Sequence, residues 1–168
     1  MKIVKLFWSP GEDNAGLLFL CMTCFNFFIL CLLATNLLLY VQHMGWGPQS
    51  GLEFFLGNED KFLQPRSYQG LLEVTHFHLF TDAAILLILT HISIYTPLRR
   101  PLKIALVLTS FSSAFLDIMT NWLIRYVHYS FIYLKIVSFW TFEISVLLLI
   151  ILSTIANFRD FNTSQASP

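Results

Sequence analysis

Charge is what this sequence has least of. Only 12% of its 168 residues are Asp, Glu, Lys or Arg, about half the share usual in soluble domains. That scarcity excludes an ordinary soluble domain. The formal net charge is zero, and the basic residues are scattered among loops, so there is no patch for nucleic acid. Cysteine is sparse, and Cys21, Cys24 and Cys31 all fall in the first apolar run. No second CxxC completes a zinc site, and inside a membrane helix cysteine behaves as a small apolar side chain. There is no Gly-x-Ser-x-Gly elbow, no His-Glu-x-x-His and no phosphate-binding Gly-rich loop, which leaves hydrolytic chemistry without a motif.

What fills the chain is apolar. The apolar share is 56% and the aromatic share 16%, and the mean hydropathy is positive. Four runs, about 16–41, 69–95, 101–126 and 131–158, are long enough to cross about 30 Å of hydrocarbon as helices. Asp13 and Asn14 are candidate caps for the first, Thr96-Pro97 stops the second, and Pro101 suits the first turn of the third. The first run continues too far for a cleavable signal peptide and has no small-residue cleavage site.

The expected fold is therefore all-α and integral to a membrane. It is a four-transmembrane-helix bundle, a single membrane domain over 1–168 with a disordered tail at 159–168. One long outer loop, 42–68, carries Trp46, Leu52, Phe54, Phe55 and Phe62 among turn residues. It reads as one or two short interfacial helices, placed to cap whatever the bundle holds. Lys2, Lys5, Arg99, Arg100, Lys103 and Arg159 gather on one side. Lys61, Arg66, Arg125 and Lys135 lie on the other, offset by Glu53, Glu59 and Asp60. The positive-inside rule then places both termini in the cytoplasm, and a bacterial inner membrane is the expected location.

The second run also holds Glu73, His76, His78, Asp82 and His91, groups that hydrocarbon penalises. At about 100° per residue, Glu73 pairs with His76 on one face and His78 with Asp82 on nearly the opposite one. In the third run Ser110, Ser113, Asp117, Asn121 and His128 share a stripe with Ala114, with Arg125 at its margin. Such a stripe faces protein rather than lipid. The fourth contributes Glu143, in line with Thr154, and the first contributes Thr23, Asn26 and, at its exit, His43. Asp82, Asp117 and Glu143 all lie near the middles of their helices and should share one level within about 5 Å. The pattern predicts a polar column descending from the outside to mid-membrane.

Three uses of that column follow. The first is a metal or haem site built from Glu73, His76, His78, Asp82 and Asp117, since imidazole and carboxylate suit a transition metal ion. Glu73-x-x-His76 resembles the Glu-x-x-His unit of carboxylate-bridged di-metal bundles; those bundles have two such units and this chain has one. Haem b would draw on His43, His76, His78 or His128, with Arg66, Arg125 or Lys135 for its propionates. The resulting expectation is a non-catalytic or accessory redox subunit of a respiratory or electron-transfer complex. The second use is a proton half-channel, with Asn121, Arg125, His128, Glu143 and His43 in support. The third is structural, the polar groups acting as interhelical fasteners within a larger membrane complex.

Overall fold

The computed structural model describes residues 15–165. Those residues form five α-helices and no named strand. The helices are α1 (Ala15–Met44), α2 (Pro48–Leu56), α3 (Tyr68–Ser93), α4 (Arg100–Tyr126) and α5 (Phe131–Gln165), with a 3₁₀ turn at Glu59–Lys61. All but α2 are long and apolar enough to cross a membrane, as the hydropathy pattern requires. The tail differs from expectation, because α5 continues through Arg159 as far as Gln165. The candidate caps Asp13 and Asn14, and Lys2 and Lys5, lie outside the described residues.

Local chemistry sets the element ends. Ser67 caps α3 by accepting from the Gly70 amide at 3.1 Å. The α3–α4 turn contains Pro97, which disfavours helix in the residue before it, and Pro101 lies in the first turn of α4. Lys103 Nζ donates to the Ile94 carbonyl at 2.5 Å, satisfying a group that the end of α3 leaves open. Pro48 opens α2 after an extended Gly47.

The long loop between α1 and α3 folds back on itself. Gly57 adopts φ 83°, and a Cβ there would sit 2.7 Å from the Leu63 carbonyl oxygen, so only glycine fits without strain. Asn58 pairs with Leu63 in an isolated bridge, and the Arg66 amide donates to the Phe55 carbonyl at 3.1 Å. At Gly51 a Cβ would come within 2.8 Å of Ile132 and 2.9 Å of Met44. The missing side chain lets α2 lie close against α1 and α5.

The bundle is organised around α5, which packs against α1, α3 and α4. By contrast, α1 and α3 are not closely packed against each other. Phe27, Phe28, Leu38, Phe77, Phe80 and Leu108 project from the exterior, as lipid-facing positions should. Inside are two apolar clusters. One, at the loop end, joins Met44, Phe55, Leu71, Ile124 and Ile132. The other gathers Ile29, Leu86, Leu89, Ala114, Phe142, Val146, Leu149 and Ile150. Between the two clusters, each of the four long helices places at least one polar residue: Asn36, His78, Asp117 and Lys135.

Candidate functional site

Between the two apolar clusters lies a cavity of about 260 Å³, room for several waters or a small polar head group. Each long helix contributes a polar side chain to its wall: Asn36 and Tyr40 from α1, His78 from α3, Asp117 and Asn121 from α4, and Lys135 from α5. Phe54, Phe55 and Arg66 close its loop end, so the loop between α1 and α3 caps the bundle. His43, Phe54 and Arg66 also border a wider vestibule of about 590 Å³ at the loop surface. In the other direction, Asn36 and His78 are shared with a narrow pocket of about 50 Å³ that holds Asp82 and Glu143. The column narrows from vestibule to cavity to pocket and ends on the apolar cluster around Leu89 and Leu149.

The central polar contact is between Lys135 and Asp117. Lys135 is buried, its Nζ lies 2.9 Å from Asp117 Oδ1, and it donates to the Asp117 carbonyl oxygen at 3.0 Å. The approach to Oδ1 is an ion pair without hydrogen-bond alignment. Asn121 lies one turn along α4 and is only 8% exposed. Its Oδ1 has no hydrogen-bond partner, which is rare for a buried polar atom. Deeper, His78 Nδ1 is 3.5 Å from Asp82 Oδ2, and Asn36 donates to Glu143 at 2.5 Å. Tyr40 stacks on Phe139 with ring centroids 3.8 Å apart.

At the mouth, the Arg66 guanidinium sits over the Phe54 ring at 3.9 Å. Among the described residues no carboxylate is paired with it. Partial burial without a counter-ion lowers its pKa from the ordinary arginine value. Arg125 braces this corner, its Nε donating to the Arg66 carbonyl at 3.0 Å.

The column expected from sequence thus exists for some of its candidates and not for others. His78, Asp82, Asp117, Asn121 and Glu143 border the cavity or the pocket below it. His43 reaches the mouth, where its ring packs against Phe54. Glu73 and His76 are instead exposed on the outside of α3, and Glu73 accepts from Gln69 at 2.9 Å. Of the two carboxylate–imidazole pairs expected on α3, the structure forms the His78–Asp82 one. His128 is exposed in the α4–α5 turn. Among the described residues no group of three or more His, Cys, Asp and Glu side chains is placed to hold a metal ion.

Sequence reasoning missed Asn36 and Tyr40, and it offers Lys135 only as a charge on the loop side and a partner for haem propionates, not as the partner of Asp117. The position of Lys135 within the fourth apolar run, four residues before Phe139 and seven before Phe142 on one face, is the signal that could have found it.

A family model described as a transmembrane helical domain matches residues 45–164. The chain belongs to this Aq_1264_TM family. The family match spans the loop and α2 to α5, including Arg66, Asp117, Asn121, Lys135 and Glu143; α1 precedes it. No curated protein and no solved structure gives a significant match.

Proposed function

We propose that this small transmembrane protein is a binding subunit, holding a small polar ligand or head group in the cavity between its two apolar clusters. The observation that carries this reading is a cavity far larger than one water needs, walled by the Lys135–Asp117 pair, Asn121 and Arg66. Interhelical fastening accounts well for other polar groups. Asn26 and Ser153 bond across α1 and α5 at 3.1 Å, for instance. It gives no reason to leave a cavity beside the Lys135–Asp117 pair.

The loop end faces outward in this reading and both termini lie in the cytoplasm, on the strength of Arg99, Arg100 and Lys103 in the α3–α4 turn. A bacterial inner membrane and a larger membrane complex are part of the same proposal. The test is substituted-cysteine labelling, with Cys21, Cys24 and Cys31 first changed to Ala. A small, membrane-impermeant thiol reagent added on the outer side should label Asn36→Cys and Asn121→Cys, and a bound ligand should protect both. Ile150→Cys should stay unlabelled from either side. Equal silence at all three positions would remove the cavity reading.

A second reading, a proton half-channel, is favoured by the dead end of the column. There His78 meets Asp82, and Asn36 meets Glu143. It predicts carboxyl infrared bands that titrate with the outer pH and disappear in Asp82→Asn/Glu143→Gln. A transition metal ion or haem b rests on residue types alone, and an absorption spectrum with elemental analysis of the purified protein tests it.

A further inference from the structure

The cavity is walled unevenly. Leu39 of α1 and Val74 of α3 border it, yet are 52% and 45% exposed. They stand on either side of the seam where those two helices are not closely packed. Below them the seam is lined by Leu32 and Phe77, again exposed apolar groups. An opening toward lipid that is apolar at its rim and polar within suits a molecule with a hydrocarbon chain and a polar head.

The head's chemistry follows from what the wall leaves unsatisfied. Arg66 is a half-buried cation over the Phe54 ring, and no carboxylate is paired with it among the described residues. Lys135 has engaged two acceptors, both on Asp117, and an ammonium carries three donors. An acidic group at this end would pair with the guanidinium bidentately. Asn121, deeper on the wall, contributes an amide side chain to the lining, and a hydroxyl near the acidic group would pair with it as donor or acceptor.

Resting on the binding reading above, we infer that the seam between α1 and α3 admits an acidic, hydroxyl-bearing amphiphile of the glycerol phosphodiester class. Its phosphate is held by Arg66 and its hydroxyl by Asn121, while its chains remain in the bilayer along Leu39 and Val74. The vestibule offers a soluble anion a separate route to the same groups, so a free glycerol phosphate is the alternative source of this chemistry.

The experiment is native mass spectrometry of the full chain released from vesicles of phosphatidylglycerol mixed with phosphatidylcholine, alongside titration with soluble glycerol 3-phosphate. One phosphatidylglycerol should be retained in preference to phosphatidylcholine. Retention should fall at least tenfold in Arg66→Gln and in Asn121→Leu, and also in Leu39→Trp/Val74→Trp, where bulk closes the seam. Arg99→Gln/Arg100→Gln, which removes two exposed cations at the opposite end, should retain it as the native chain does. Unchanged thermal melting separates loss of the site from loss of the fold, and a variant that melts early is replaced by Arg66→Lys, which should bind with intermediate strength.

Retention without preference for the acidic head, or indifferent to Arg66→Gln, overturns the head assignment and leaves the cavity reading standing. Binding of soluble glycerol 3-phosphate as tightly as the lipid, unaffected by closing the seam, overturns lateral entry. No bound species of either kind, together with silent cysteines at positions 36 and 121, overturns both readings.

Discussion

Lys135 and Asp117 place two full charges within a bundle whose exterior is hydrocarbon-like, and neither can be removed alone without stranding the other. Breaking a buried pair by deleting one partner costs about 3–5 kcal/mol, whereas replacing both with apolar groups of similar volume is often neutral. Lys135→Met is therefore expected to lower the melting temperature of the detergent-solubilised protein by many degrees. Lys135→Met/Asp117→Leu should recover most of that loss. If the double variant melts no higher than the single one, the pair is not what Lys135 contributes.

Gly57 supplies a second residue-scale prediction. Its positive φ and the close Leu63 carbonyl mean that Gly57→Ala should destabilise the loop by about 1–3 kcal/mol. Protease cleavage between residues 57 and 67 should accelerate while the long helices stay intact.

At this scale the sequence was legible in part. His78, Asp82, Asp117, Asn121 and Glu143 lie deep enough that exposure to lipid would have been expensive, so their presence alone argued for an interior site. Glu73 and His76 lie one or two turns inside α3, close enough to the interface to be hydrated, and nothing obliged them to turn inward. Lys135 was obscured for a related reason: a lysine one turn from a helix end ordinarily snorkels outward.

Among the elements, helix existence and position were clear from hydropathy, because a bilayer leaves the backbone few options. Which helices adjoin was not clear. Periodicity shows that a face is polar but not whose polar face it meets, so the place of Asn36 and Tyr40 in the column follows only from the packing of α1 on α5.

The α1–α5 seam is fastened by small polar contacts. Asn26 donates to Thr154 at 3.1 Å and accepts from Ser153 at 3.1 Å, and Asn157 donates to Thr23 at 3.2 Å. Interhelical hydrogen bonds within membranes average about 0.6 kcal/mol each. Asn26→Leu should thus destabilise by about 1 kcal/mol in a reversible unfolding assay; a loss several times larger would mean that Asn26 does more than fasten.

The loop element has its own pH signature. Glu53 accepts from Lys61 at 2.7 Å and 2.9 Å and from Asn58 at 3.0 Å. The Lys61 hydrogen bond is the largest influence holding its pKa below the ordinary 4.5. A carboxylate with a depressed folded-state pKa stabilises at pH above its unfolded value, and that stabilisation is lost as pH falls through the folded one. Loop protection from proteolysis should therefore hold from neutrality down to about 4.5 and weaken below it. In Glu53→Gln that acid-dependent loss should vanish.

For the whole molecule, α5 is the helix on which the others converge, while α1 reaches the rest mainly through α5 and α2. A chain beginning at Gly45, the first residue of the family match, should insert and keep the packing of α3, α4 and α5. The Trp122 indole, which donates to Thr75 at 2.8 Å, reports on that core: a short bifunctional thiol reagent should cross-link a Thr75→Cys/Trp122→Cys pair in both the full and shortened chains. Cysteine-labelling protection at position 121 should be lost in the shortened chain, because one wall of the cavity is gone. If the shortened chain fails to cross-link, α1 is needed for the core itself.

The dominance of α5 also bears on how the molecule is made. Translation delivers α1 to the bilayer well before the surface on α5 that Asn26 fits. Through the synthesis of three intervening helices, the amide of Asn26 must wait in lipid, or against an insertion factor, for Ser153 and Thr154 to arrive. A stall placed just before α5 should therefore leave α1 free to exchange partners, and only release of α5 would lock α1 home.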